Sequence, residues 1–210
     1  MLGLSLTLVL IILIVAVSLY AMNNPGAFHK MLMNPYQVFH RKEWWRMITS
    51  GFIHSGYAHL GFNMFTFYFF GGITEQIFLQ IAGKETGNLL FIIFFLSAIV
   101  LSDIAVAWRN RDNPGYNSLG ASGAVSAMVF SSILYFPLNK ICLFALICMP
   151  GFILGALYVI YSYTQGKNMS DNINHEAHLY GAIYGVLFSL AVYPEAGPQF
   201  FEQIMSYRIF

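Results

Sequence analysis

Residues 119–136 read Leu119-Gly-Ala-Ser-Gly-Ala-Val-Ser-Ala-Met-Val-Phe-Ser-Ser-Ile-Leu-Tyr-Phe136, eighteen positions without a charged side chain. As a helix such a run covers the roughly 30 Å of a bilayer's hydrocarbon core. Comparable apolar runs occupy residues 4–22, 59–81, 89–108, 141–163 and 174–193. Backbone amides facing lipid must be satisfied within their own segment, which favours helices, and the alternating pattern of a membrane barrel is absent. The expected fold is therefore an all-α membrane protein, a six-transmembrane helical bundle in one domain over residues 1–210. The run from Leu4 has no basic stretch before it and no small-residue cleavage site behind it, so it reads as a retained helix.

Composition agrees. The 210 residues are 58% hydrophobic and only 9% charged, with net charge +1, which places the chain in the membrane class. No basic stripe exists to hold nucleic acid. Cys142 and Cys148 lie six residues apart inside one apolar run, a setting that reads as packed thiols more readily than a bridge or a metal site. The long connection 23–58 mixes Pro25, Pro35 and Trp44-Trp45-Arg46 with other basic residues and reads as a partly helical element in the membrane interface. Shorter loops are expected at 82–88, 110–118, 137–140 and 164–173.

Polar groups placed inside apolar runs lose hydration with little return, so each calls for a partner or a function. Ser122 starts the fourth run, His178 starts the sixth, and His59 and Asn63 start the second. In a six-span topology all of them fall about one turn inside the same face of the bilayer. A lone membrane serine is ordinarily a packing residue, and a lone histidine is often satisfied by a neighbouring carbonyl. Together they carry more. A hydroxyl becomes nucleophilic when an adjacent imidazole accepts its proton. Gly120, Gly123 and Ala127 form a small-residue stripe that matches Gly181 and Gly185, so the two helices can approach closely. His59 and Asn63, spaced i and i+4, project from one helical face as candidate oxyanion donors beside the first-turn amide of Ser122. His54, His175 and Glu176 invite a zinc reading, but His175-Glu176-Ala177-His178 is not the spacing that sets two ligands on one helical face. No metal or organic cofactor is expected.

On these residues the chain resembles the rhomboid family of intramembrane serine proteases, in its six-span bacterial form. The resemblance rests on Trp45-Arg46, His54, His59 with Asn63, Glu75, Gly120-Ala121-Ser122-Gly123, and Ala177-His178-Leu179-Tyr180-Gly181 with Gly185, and it covers about residues 40–190. It implies Ser122 as nucleophile, His178 as base, and His59, Asn63 and the Ser122 amide as the oxyanion hole. It also implies Trp45 and Arg46 as structural anchors of the first loop. The family's aromatic four residues after the nucleophile is Ser126 here, so the orientation of His178 is less secured than the resemblance implies unless Tyr180, Tyr184 or another ring substitutes.

Lys30, Arg41, Lys42, Arg46, Arg109, Arg111 and Lys167 lie on the odd-loop side, against Lys84, Lys140 and Arg208 on the other. Charge alone would make the odd-loop side cytoplasmic. The resemblance implies the reverse, and the reading follows the resemblance. The expected protein is a multi-pass serine endopeptidase of the cell membrane that cleaves transmembrane segments of other membrane proteins; the sequence does not fix its oligomeric state. Its rivals are a catalytically silent relative that binds membrane helices and a zinc-dependent membrane hydrolase.

Overall fold

The computed structural model describes residues 5–143, 146–168 and 174–208. Leu4, residues 169–173 of the expected fifth loop and the side chain of Lys167 lie outside the described residues.

Helix α1 (Leu6–Met22) begins at Ser5, whose hydroxyl accepts the Leu8 amide. The long first connection folds into α2 (Pro25–Met31), α3 (Pro35–Arg41), α4 (Arg46–Thr49) and a 3-10 turn at Ser50–Phe52. Two Asn-Pro pairs set the starts of α2 and α3. Asn24 and Asn34 accept the amides of Ala27 and Gln37, and each following proline occupies a first-turn position where no amide is needed.

Helix α5 (Tyr57–Thr66) passes through a π turn at Phe67–Gly71 into α6 (Gly72–Arg109). The expected loop at 82–88 is instead a single break at Gly83, where φ is 76°, a conformation that glycine reaches without a side-chain clash. The chain doubles back there: a Cβ added at Gly87 would lie 2.6 Å from the Phe78 carbonyl oxygen and 2.7 Å from Leu79 Cα. Tyr57–Arg109 is long and apolar enough to cross a membrane, and α1 is apolar but shorter.

Helix α7 (Ser122–Tyr135) is also apolar and shorter than the expected run, because the chain enters it through Gly120 at φ 107°. After α7 the all-α expectation fails. Strands β1 (Lys140–Leu143) and β2 (Ile147–Pro150) pair antiparallel, and Cys142 faces Cys148 and is bonded to it as a disulfide. The expected packed thiols are thus a bridge. Pro150 disfavours helix through the residue before it, so the run expected to be helical from residue 141 becomes helix only in α8 (Gly151–Asn168). Helix α9 (His175–Val192) then turns through 113° into α10 (Ala196–Ser206), and the two together are long and apolar enough to cross a membrane if they form one broken span. Nothing in the hydropathy reading anticipated α10.

The core is aromatic. Phe67, Phe78, Phe91, Phe94 and Phe95 are fully buried, with Phe67 and Phe95 stacked at 5.2 Å. They hold the Tyr57–Arg109 hairpin against α7 and α9.

Candidate active site

Helices α7 and α9 meet backbone to backbone. A Cβ at Gly181 would lie 2.1 Å from the Gly123 carbonyl oxygen, and one at Gly185 would lie 2.1 Å from that of Ala127. On the other side of Gly123, a Cβ would lie 2.1 Å from Ser102 Oγ on α6. The two small-residue stripes read from the sequence are therefore the surfaces through which these helices pack. Ser122 is the first residue of α7, and His178 sits one turn before Gly181 in α9, so both emerge at the same end of one helix pair. Each is half-buried.

The loop leading to Ser122 is held from three sides. The Gly120 amide donates to the Ser50 carbonyl at 2.9 Å, and Met33 and Ser118 exchange backbone hydrogen bonds. The Ala121 amide donates to His54 Nε2 at 3.4 Å, while His54 Nδ1 lies 2.9 Å from Ser18 Oγ, which donates to the Phe52 carbonyl. Accepting at Nε2 and donating at Nδ1 fixes one neutral tautomer of His54. Burial, with neighbouring His59 as a smaller cause, pushes its pKa down to about 3, so the ring stays neutral at physiological pH. His54 therefore serves this loop as a scaffold.

His59 lies against the same loop. A side chain on Gly120 would meet the His59 ring at 2.9 Å, besides being strained by its φ. Ser55 Oγ lies 3.1 Å from His59 Nδ1; with the hydroxyl donating, the ring's proton sits on Nε2, beside Gly120. Asn63 is buried and donates one N–H to the His59 carbonyl at 3.1 Å, and an amide carries a second donor.

The remaining expected residues separate by environment. Arg46 is buried, bonded to Glu43 at 2.6 Å and to the carbonyls of His29 and Leu32, which ties α4 to the end of α2. Trp45 is 54% exposed and contributes backbone hydrogen bonds to that turn. Glu75 is buried far from the site and accepts the Leu6 and Thr7 amides and the Thr7 hydroxyl at 2.7–2.9 Å. It supplies the acceptor that the free amides at the start of α1 require.

Three polar residues escaped the sequence reading. Asn34 donates to the carbonyls of Pro114 and Tyr116, stitching the first loop to the third. Asp103 accepts the Ser118 hydroxyl at 2.7 Å and the Asn174 amide group at 2.8 Å, while Asn174 caps α9 through the Ala177 amide. Asp103 thus joins the loop before Ser122 to the helix start that carries His178. It stands inside an apolar run, and the criterion that picked out Ser122 and His178 would have found it. Together with Ser102, Ser118, Ser122 and Asn174 it lines a polar cavity of ≈ 30 Å³, room for about one water molecule. Arg109 at the end of α6 pairs with Glu176 in the first turn of α9, and burial pushes the pKa of the Tyr116 phenol up, with Asp103 adding to it.

The aromatic missing at Ser126 comes from elsewhere. Tyr184 bonds Ser97 and stacks on Phe94. Two rings neighbour His178: His175, edge-on at 5.9 Å between centroids, and Tyr158 of α8, at 6.4 Å and 21° between planes, whose hydroxyl bonds Ser126 Oγ at 2.7 Å.

The family model described as Rhomboid domain matches residues 41–195. Similar curated proteins include RHOMBOID-like protein 12, mitochondrial, of Arabidopsis thaliana, 32% identical in an alignment that covers 65% of this chain and 43% of that protein. The rhomboid protease GluP of Bacillus subtilis (strain 168) is 29% identical over 74% of this chain and 27% of its own length. The rhomboid protease AarA of Providencia stuartii is 26% identical over 75% of this chain and 59% of its own. The matched stretch spans less than two thirds of each of these three relatives.

Proposed function

The chain belongs to the rhomboid family, and on that premise we propose that it is an intramembrane serine endopeptidase acting on membrane proteins through Ser122 and His178. The observation that carries the proposal is the backbone contact of Gly181 with Gly123, which sets the hydroxyl and the imidazole at one end of a packed helix pair. Ser122 attacks a peptide carbonyl of an unwound substrate segment. His178 takes the hydroxyl proton and passes it to the leaving amine, and water then releases the acyl group. The oxyanion faces His59, Asn63 and the Ser122 amide at the free start of α7. A fluorophosphonate probe, with the modified residue mapped, tests the assignment. Modification at Ser122 is expected, and modification elsewhere or none at all would overturn it.

Asn63→Ala is expected to lower turnover about a hundredfold, and His59→Ala by a comparable or smaller factor, with substrate affinity little changed, because such donors act on the transition state. Steady-state kinetics of both variants check this. A rise in KM with kcat intact would remove both residues from the oxyanion hole.

The six-span reading assigns the spans to α1, the two arms of the Tyr57–Arg109 hairpin, α7, α8 and α9, in the cell membrane. It puts both termini and the β1–β2 hairpin on one face and the site on the other. By the family resemblance the termini are cytoplasmic and Ser122 lies near the outer face. Two observations favour the opposite orientation: the cations of the odd loops and the Cys142–Cys148 bridge on the terminal side, since bridges persist on the oxidising side of a membrane. A fluorescent reporter fused at the C-terminal end, paired with one active only outside the cell, decides between them. Cytoplasmic fluorescence is expected; activity confined to the outside would move cleavage to the cytoplasmic face.

A further inference from the structure

A histidine that serves as base must be held in one orientation, and the hydroxyl it activates supplies only one of the contacts needed. A carboxylate is a common second holder. Among the described residues near the start of α9, Asp103 bonds Ser118 and Asn174, and Glu176 bonds Arg109. Two rings flank the imidazole: His175 of the same helix, edge-on at 5.9 Å between centroids, and one from another helix. Tyr158 is nearly parallel to His178, at 21° and 6.4 Å. Its hydroxyl is held by Ser126 at 2.7 Å, and its flank is met by the Phe130 ring at 5.6 Å. Ser126 and Phe130 are four residues apart on α7, so they present one face to α8. Gly155, one turn before Tyr158, lets α8 come in: a Cβ there would lie 3.2 Å from Ile133 and 3.5 Å from Phe130.

We propose that Tyr158, anchored by Ser126, is the residue that positions His178 for proton transfer. The inference rests on the protease reading given above and adds a residue to it. Helix α7 gives the anchoring hydroxyl and α8 gives the ring. The arrangement preorganises the imidazole, so less orientational freedom is lost on reaching the transition state. Tyr158 acts through His178, and its effect falls on kcat.

The test compares Tyr158→Leu, Tyr158→Phe and Ser126→Ala in the full chain in detergent micelles, with histidine isotopically labelled. The ring signals of His178 are assigned by their loss in His178→Ala. Tyr158→Leu is expected to move those signals out of the ring-current shift that a stacked aromatic imposes, and to lower kcat about tenfold with KM unchanged. Tyr158→Phe keeps the ring, and is expected to keep the shift and to lose about threefold in kcat, the effect of one hydrogen bond. Ser126→Ala should match Tyr158→Phe, and the pair combined should be no worse than either alone, because both remove the same bond. Unchanged His178 signals in Tyr158→Leu would overturn the proposal, as would a loss in Tyr158→Phe equal to that in Tyr158→Leu. Failure of the protease reading shows separately, as a wild-type protein that neither cleaves nor is labelled at Ser122, while the ring-current comparison still decides whether Tyr158 orients the histidine.

Discussion

Ser122→Ala is expected to abolish both cleavage of a membrane-embedded substrate and labelling by a fluorophosphonate, with the fold intact. The change removes one oxygen from a half-buried position at a helix start, so it opens no cavity that the core must collapse into. His178→Ala should lose as much, because a hydroxyl without its base has the reactivity of an ordinary alcohol. The double variant should be no worse than either single one, since groups that act as a unit do not contribute additively. The measurement is cleavage in proteoliposomes, alongside the thermal unfolding midpoint of each variant. Cleavage near the wild-type rate in Ser122→Ala would sink the serine mechanism. If that residual activity then vanished with a chelator, a zinc hydrolase would take its place. A wild type that never cleaves and never labels would point instead to a silent helix-binding relative.

Much of this site was legible in the sequence because its parts are chemically costly where they stand. Ser122, His178, His59 and Asn63 interrupt apolar runs, and the glycines at 120, 123, 181 and 185 occur at helical spacing. Local pattern alone therefore announces a close helix pair with polar groups at one end. Where pattern is ambiguous the reading failed. Residues 141–150 are as apolar as a membrane helix, and only Pro150 marks their end, so a bridged hairpin was read as the start of a span. At Gly83 one glycine reverses the chain where a seven-residue loop was expected, because a single positive φ can do the work of a loop. Tyr158 was beyond reach for a different reason. Its partners Ser126 and His178 lie 32 and 20 residues away on other helices, and no periodicity within α8 distinguishes a ring that faces a histidine from one that faces lipid.

Gly181→Val is expected to cost more than a hundredfold in turnover and to destabilise the protein by about 1–3 kcal/mol, the range for overpacking a filled interior. The space for even one carbon is absent: a Cβ would stand 2.1 Å from the Gly123 carbonyl oxygen and 2.9 Å from its carbon. Both neighbours are backbone atoms, which cannot swing aside as a side-chain end would. Helices in lipid gain little from hiding apolar surface from one another, so their association rests on packing of this kind. Relief must come from moving α9 off α7, and that motion separates the imidazole from the hydroxyl it serves, where a displacement of about 1 Å is enough for a hundredfold loss. Gly72→Ala is the control, because a Cβ there meets nothing within 4 Å, and its activity should equal that of the wild type. The distinguishing measurement is cleavage at a temperature where Gly181→Val is still folded by circular dichroism. Folded protein with wild-type turnover would mean that the α7–α9 contact does not set the Ser122–His178 geometry, and the central argument for the dyad would fall with it.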